Sequence, residues 1–304
     1  MSLEGVLAVR PSFECLRCLV NVRLREVESS NASREVKLGV ARRLLNILES
    51  EFDYNAELTH LATKLYNTVV GALPDVADYY RGVKRELNRL ALENLASHVE
   101  YAGRLSGFSR FRYLVKLSAL GNLIDLGVAG HNPITPLDLK PPVVESHAFC
   151  LDYTEDFHRL VSRGGLRVLW LFDNAGEAVY DTLLISELRR LGNTVWGLVK
   201  DEPGFQNDIT LDDALYIGLD KVLDRVLTYG CKCSTIHMDG IGGEARMAVE
   251  EADVIVSKGM SHYEYLSELN LGKPVVFILI PKCTPIASSI GDPGCRGKIV
   301  VMVR

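Results

Sequence analysis

No apolar run in this 304-residue chain approaches the roughly 18 to 20 residues needed to cross a bilayer, so no membrane partner is expected. There is no basic excess either. Lysine and arginine number 34 against 39 acidic residues, a formal charge of −5, which gives no electrostatic reason for a nucleic-acid partner. The opening, Met1-Ser-Leu-Glu-Gly-Val-Leu-Ala-Val-Arg10, carries an acid early and too short an apolar core for a signal peptide; a cytoplasmic protein is expected. The seven cysteines are odd in number and scattered, which argues against a secreted disulfide framework. The seven histidines form no His-x-x-x-His or His-Glu-x-x-His pattern. Gly240-Ile-Gly242-Gly243 precedes a helical segment but lacks the full Gly-x-Gly-x-x-Gly of a dinucleotide-binding turn. Internal repeats and low-complexity tracts are also lacking.

What the chain does have is core-forming material, 47% of it hydrophobic, in two different grammars. The first half repeats apolar residues at spacings of three and four, predicting helices over 34–49, 56–72, 75–105 (interrupted near Tyr80 to Gly82) and 111–126, ending at Gly127. Gly130-His-Asn-Pro-Ile-Thr-Pro and Pro141-Pro142 form a loop-rich exit. From about Leu166 short apolar strands alternate with helices: strands at 166–172, 194–199, 222–228, 253–257, 274–280 and 298–303, helices at 177–191, 210–218, 242–252 and 262–270. That alternation implies a mostly parallel sheet covered on both faces. The expected fold class is α/β: a helical N-terminal domain over 1–150 and a Rossmann-like α/β domain over 151–304, with the crossover between about 130 and 165.

The most informative segment is Leu166-Arg-Val-Leu-Trp-Leu-Phe-Asp173-Asn174-Ala-Gly-Glu177, an apolar strand ending in a carboxylate and a carboxamide. Ligands of open α/β sheets bind beyond the carboxyl ends of the strands, and hard oxygen donors there suit Mg²⁺ or Mn²⁺. Three further strand ends carry polar groups: Lys200 to Thr210 with Asn207 and Asp208, Lys258 to Glu264, and Pro281 to Ala287 with Lys282. Each has a plainer reading. Asp173 is compatible with capping the following helix, Asn207 and Asp208 with capping the next, Lys258 with a solvated turn, and Cys283 with a small buried hydrophobe. Their co-occurrence on one sheet edge favours a site.

These residues resemble a known family. Asp-Asn-Ala-Gly-Glu after a strand, Asn-Asp-Ile-Thr-x-x-Asp-Ala, Ser-Lys-Gly-x-x-x-Tyr-Glu-x-Leu-Ser-Glu and a late Lys-Cys-x-Pro-Ile-Ala are similar to the damage-control phosphatase family, first described as the eighty-ninth domain of unknown function. The resemblance spans nearly the whole chain and includes Cys15-x-x-Cys18, as in the archaeal and bacterial subfamily, and Gly121-Asn122-Leu-Ile-Asp125. It implies a divalent-metal-dependent phosphatase (Mg²⁺, Mn²⁺, Co²⁺ or Ni²⁺) acting on small phosphorylated metabolites such as sugar phosphates or damaged phospho-cofactors. Carried over by motif, Asp173, Asn174 and Asp208 become metal ligands and Lys258 a phosphate contact. Lys282 becomes a second phosphate contact, Glu264 an acidic group of the same loop as Lys258, and Asn122 and Asp125 the helical region's contribution to the cleft. Departures from the pattern are Ser261-His262-Tyr263 before Glu264, where His262 stands in for an amide contact or serves as proton donor, and Tyr229-Gly-Cys231-Lys-Cys233 after the third strand. The lack of an Asp-x-Asp favours metal-activated water over attack by Asp173 itself. Two alternatives stay open: an S-adenosylmethionine-dependent carboxyl methyltransferase, disfavoured because Asp-Asn-Ala-Gly occupies the place of a glycine-rich loop, and a non-catalytic metal- or metabolite-binding module.

The paired cysteines leave several readings. Cys15 and Cys18 have metal-ligand spacing, and Cys231 and Cys233 would be needed to complete a tetrahedral set. A Cys15–Cys18 disulfide and simple packing of reduced thiols are the other two.

Overall fold

The computed structural model describes residues 8–130 and 132–304; the chain start read above through Leu7, and His131 in the exit loop, lie outside the described residues. Helices α1 (Phe13–Ser29), α2 (Arg34–Glu51), α3 (Leu58–Ala72), α4 (Pro74–Gly103), α5 (Gly107–Gly121) and α6 (Pro141–Ser146) come first. Then follow β1 (Phe149–Asp152), α7 (Thr154–Val161), β2 (Arg167–Leu171), α8 (Glu177–Arg190), β3 (Thr194–Val199), α9 (Leu211–Tyr216), α10 (Leu219–Val222) and β4 (Arg225–Thr228). The chain closes with α11 (Gly243–Glu251), β5 (Val254–Lys258), α12 (Gly259–Leu266), β6 (Val275–Leu279), α13 (Thr284–Ser289) and β7 (Ile299–Val303).

The seven strands form one sheet in the order β1-β7-β6-β5-β2-β3-β4, parallel except for β6 against β7. This is the mostly parallel α/β sheet expected from sequence. Alternation along each strand supplies two cores. Val168, Trp170, Phe172, Val254, Val256, Val276 and Ile278 face α5, α7, α8 and the C-terminal part of α4. Leu169, Leu171, Ile255, Phe277 and Leu279 face α11, α12 and α13. A third core lies among α1 to α4, where Val40, Leu44, Leu48, Leu61, Leu65 and Val69 pack at helical spacing around Tyr66 and Tyr80. Phe205, from the loop after β3, inserts into this third core and ties the helical part to the sheet edge.

Several boundaries differ from the sequence reading. α4 runs unbroken through Tyr80 to Gly82: Tyr80 is buried with its hydroxyl donating to Glu26 Oε1 at 2.7 Å, and that anchorage outweighs the roughly 1 kcal/mol helical cost of Gly82. α5 stops at Gly121 rather than running to 126, because Asn122 and Asp125 are drawn into polar contacts with the sheet edge. α1, β1, α7, α10 and α13 were not read from sequence; the edge strand β1 is only 4 residues long. The core that holds the sheet's first face includes α5, so residues on both sides of position 150 share it.

Cys150, on edge strand β1, is bonded to Cys295, just before β7, across 145 residues, a pairing that no local spacing advertises. No helix among the described residues is long and apolar enough to cross a membrane. Closing so long a loop restricts the unfolded chain, so Cys295→Ser should cost about 2–5 kcal/mol. The check is thermal unfolding with and without reductant; a midpoint that neither the reductant nor the substitution moves would remove the bond from the fold's stability.

Candidate active site

The strand order reverses between β2 and β5, since β3 and β4 continue from one and β6 from the other. Ligands of such sheets sit at that switch point, and here the loops after both strands meet. Gly259, the first residue after β5, has φ +75°, and a Cβ there would lie 1.9 Å from Asp173 Oδ2. The glycine of the Lys-Gly pair is therefore required by Asp173. A second short connection joins the loop after β2 to the loop after β3. Asn174 bridges Asp208 in antiparallel fashion, Ala175 N–H donates to Asn207 O at 2.9 Å and Ile209 N–H to Asp173 O at 2.9 Å. That backbone clasp brings Asp173, Asn174 and Asp208 to the floor of one cleft of about 680 Å³.

The side chains around them are oriented by hydrogen bonds. Asp173 Oδ2 accepts from Asn122 Nδ2 and Asn174 Nδ2, both at 2.8 Å; the same two amides donate to Glu177 Oε2 at 3.1 and 2.8 Å. Asn207 Nδ2 donates to Asn174 Oδ1 at 2.9 Å. Gly121 lets α5 end against α8, since a Cβ there would meet Glu177 Cγ at 3.0 Å, and so Asn122 reaches the site.

Three lysines stand behind this floor, each already engaged. Lys258 Nζ lies 2.5 Å from Glu177 Oε1, 2.9 Å from Asp181 Oδ1 and 3.0 Å from the Ser118 carbonyl, with no exposure. Lys200 Nζ donates to Ser234 O at 2.7 Å, lies 3.5 Å from Asp208 Oδ2 and sits 4.5 Å from the Tyr229 ring centre. Lys282 Nζ pairs with Asp125 Oδ2 at 2.7 Å. The innermost groups are thus five carboxyls, Asp125, Asp173, Glu177, Asp181 and Asp208, against three lysines, so full ionisation would leave an excess of two negative charges. The carboxyls respond accordingly. Burial, then repulsion from Glu177, Asp208 and Asp125, raises Asp173 well above the usual carboxylate range. Burial pushes Asp208 up to about 7 despite Lys200, and Asp181 up to about 6 despite Lys258. For Lys258 burial acts downward, but Asp181 and Glu177 outweigh it and hold the ammonium charged. A donor set of two carboxylates and a carboxamide, with two unmatched negative charges, fits one hard divalent cation.

Of the residues singled out from sequence, Asp173, Asn174, Asp208, Asp125 and Glu264 line the cleft. Lys258, Lys282, Asn122 and His262 lie behind it. Lys258, read as a phosphate contact, is committed to Glu177 and Asp181, and Lys282 to Asp125. Asn122 holds Asp173 rather than facing the opening. His262 is a clamp: Nε2 lies 2.8 Å from Tyr229 Oη and 3.1 Å from the Phe172 carbonyl, and Nδ1 lies 2.6 Å from Thr235 Oγ1. Burial, then Lys200, drives its pKa well below the usual imidazole value, so the ring is neutral. Glu264 is half-buried, and burial followed by repulsion from Glu268 lifts its carboxyl to about 7. Sequence reasoning missed Glu177, Asp181, Lys200 and Gly259. Their signal was present as Glu-x-x-x-Asp on the helix after the first motif and as a lysine closing each of three strands.

Cys15, Cys18 and Cys283 are free thiols on the cleft wall, while Cys231 and Cys233 are bonded to each other, which removes them from any four-cysteine metal set. Cys150, Cys295 and Asp292 have ligand atoms within 4.8 Å of one another, but the two sulfurs form the disulfide and leave no thiolate there.

The profile of the damage-control phosphatase ARMT1-like domain matches residues 12–295. A damage-control phosphatase of Archaeoglobus fulgidus is 33% identical over 280 residues, covering 91% of this chain and 94% of that protein. A damage-control phosphatase of Pyrococcus horikoshii is 26% identical over 296 residues, covering 97% and 98%. The crystal structure of a DUF89 family protein from Pyrococcus horikoshii superimposes with a TM-score of 0.81 at 26% identity, over 96% of this chain and 98% of that one.

Two outcomes are expected. Lys258→Met leaves Glu177 and Asp181 buried without their cation and should lower stability by about 3–5 kcal/mol in denaturant unfolding. A change below about 1 kcal/mol would return the lysine to the list of ligand contacts. The second concerns pH. In ion-free protein Asp208 keeps its proton to about 7, whereas the unfolded chain releases it near 3.8, so stability should fall as pH rises between those values. Mn²⁺ at roughly 100 times its Kd should stabilise by about 2.7 kcal/mol near neutrality and progressively less toward acid, where protons compete. Thermal shifts on a pH series measure this, and a shift that ignores pH would exclude these carboxyls as ligands.

Proposed function

Because the chain belongs to the damage-control phosphatase ARMT1-like family, we propose that it is a divalent-metal-dependent phosphatase of small phosphorylated metabolites, such as sugar phosphates or damaged phospho-cofactors. We place it in the Cys-x-x-Cys-bearing archaeal and bacterial subfamily on the strength of Cys15 and Cys18. The single observation that carries the reading is the convergence of Asp173, Asn174 and Asp208 at the switch point, with two negative charges unmatched. Asp173, Asn174 and Asp208 would hold one Mg²⁺- or Mn²⁺-type ion, and its charge would polarise a phosphoryl oxygen and acidify a water.

The protein's own part is orientation and charge. Asn122 and Asn174 fix the Asp173 carboxylate through Oδ2, leaving Oδ1 for a ligand. Asn207 holds the Asn174 amide with its oxygen engaged on one side only. The neutral His262 pins the Phe172 carbonyl, so the strand end that presents Asp173 does not shift as charge develops. Glu264, protonated up to about 7, offers both a donor and an acceptor to a substrate hydroxyl at the cleft wall. Water is the favoured nucleophile, since Asp173 is held by two amides and no second aspartate follows it at the spacing of aspartyl-phosphate enzymes.

Phosphate release from a panel of sugar and cofactor phosphates, with Mg²⁺, Mn²⁺, Co²⁺, Ni²⁺ or EDTA, is the direct assay. Asp173→Asn and Asp208→Asn should each lower metal-dependent kcat/KM by at least about 100-fold in folded protein. Release that survives EDTA and both substitutions would sink the assignment.

A further inference from the structure

We propose that Arg23, on the inner face of α1, is the cation that receives the phosphoryl group of the substrate; this rests on the phosphatase reading above. The argument is one of charge. With one divalent ion in place, the five inner carboxylates and three lysines are balanced, so an arriving phosphate dianion brings charge that nothing on the floor offsets. The three lysine Nζ atoms all have partners, Asp208 and Ser234 O, Glu177 and Asp181, and Asp125, and none of the three is a buried nitrogen left unpaired. Arg17 and Arg296 also line the cleft but are exposed, so water already solvates them.

Arg23 differs from all of these. It lines the cleft yet is only 4% exposed, and its Nη1 has no hydrogen-bond partner. A buried guanidinium N–H left unpaired is uncommon and unfavourable, and it marks a donor waiting for an acceptor. Its Nη2 lies 3.2 Å from Glu26 Oε1, but Tyr80 Oη donates to that same oxygen at 2.7 Å and Gln206 Nε2 at 3.2 Å. Arg23 and Glu26 therefore balance in charge, but Arg23 Nη1 and Glu26 Oε2 are both left without a partner, so the guanidinium still has N–H groups to offer an anion. The guanidinium is also held in place, 5.1 Å from the Tyr66 ring centre and 5.6 Å from that of Phe205. Packed cations of this kind bind phosphate oxygens with little loss of side-chain freedom.

Arg23 is coupled by position to the ion site. Phe205 and Gln206 are the residues just before Asn207 and Asp208, and Gln206 adopts φ 53°, a left-handed conformation that non-glycine residues rarely take. Its amide shares Glu26 with Arg23, so the loop that delivers Asp208 is anchored on the carboxylate that positions the arginine. The cleft therefore offers a phosphoryl group an ion at Asp173, Asn174 and Asp208 and a planar two-donor cation on the facing helix.

Inorganic phosphate is the probe. The full chain is titrated first with Mn²⁺ and then, Mn²⁺-saturated, with phosphate, as wild type, Arg23→Met and Arg23→Lys. Mn²⁺ affinity should be the same in all three, while phosphate binding weakens about 10- to 100-fold in Arg23→Met and is only partly restored in Arg23→Lys. Equal phosphate affinity in all three proteins overturns the assignment of Arg23 and leaves the metal-dependent phosphatase intact. Wild-type protein that takes up no Mn²⁺ overturns both. Should Arg23→Met not fold, a crystal of wild-type protein with Mn²⁺ and phosphate decides: phosphate bonded to Nη1 upholds the assignment, and phosphate bound elsewhere ends it.

Discussion

Negative charge buried at the carboxyl edge of the sheet is the constraint to which the rest of the molecule answers. Asp173 stands two residues beyond β2, and Glu177 and Asp181 lie one turn apart at the start of α8, so one strand-to-helix turn puts three carboxylates on one side. Such a cluster is stable only where opposite charge is supplied at contact distance. The sheet supplies it from three further strands: Lys200 just after β3, Lys258 at the end of β5 and Lys282 shortly after β6. Because these strands flank β2 or one another, their lysines arrive on the same edge without any long excursion of the chain. Asp208 and Asp125, each facing one of these lysines, then tip the balance back to negative. A fold that buries so much like charge and stops two formal charges short of neutrality must keep protons on its carboxyls or take up a cation.

Much of this was legible in the sequence, and the limit of legibility has a physical cause. Strand, loop and helix alternated clearly after Leu166, and all six expected strands correspond to strands of the sheet. The three proposed oxygen donors stood out in the sequence because Asp173 and Asn174 directly follow an apolar run and Asp208 lies in the polar loop after the next strand. What could not be read was which polar residue faces the opening and which faces the protein. Lys258 sits beside Gly259, and sequence weights the charged residue; geometry gives the close approach to Asp173 to the glycine and turns the lysine inward. The same ambiguity hid Asn122 and His262, whose partners lie 51 and 90 residues away. Local periodicity misjudged Tyr80 to Gly82, because the contact that stabilises the helix there comes from Glu26 on another helix.

The cleft has two walls of different character. Its floor is drawn from strand ends, where the three lysines are paired and the amides of Asn122, Asn174 and Asn207 engaged, so it has little freedom to adapt to one substrate or another. The facing wall is α1 with Glu14, Cys15, Arg17, Cys18 and Asn21, half-buried or exposed residues that are not built into the sheet core. On the proposed phosphatase reading, the groups common to phosphate esters are met by the floor together with the buried Arg23 of α1, and features that distinguish one ester from the next by the half-buried and exposed residues of the wall. The free thiols Cys15 and Cys18 belong to that wall, and Cys283 lines the same cleft from the start of α13. Burial raises the pKa of Cys15, Cys18 and Cys283, which disfavours the thiolate and makes them polarizable packing surface rather than nucleophiles.

Phe205 shows how the two walls are kept in register. It leaves the loop that carries Asp208, enters the core of α1 to α4, and packs at 4.8 Å against Tyr66, which lies beside Arg23. A displacement of α1 cannot occur without disturbing Phe205, and Phe205 is three residues from Asp208, a proposed cation ligand. The strained Gln206 between them makes the same connection through Glu26. Such a backbone conformation persists only where its surroundings over-determine it, and here they do so from both sides: the clasp to Asn174 fixes one end of the loop and the helical core fixes the other. The position of the proposed ion site and the position of the helix opposite it are therefore one structural variable, so the helical part belongs to the cleft itself.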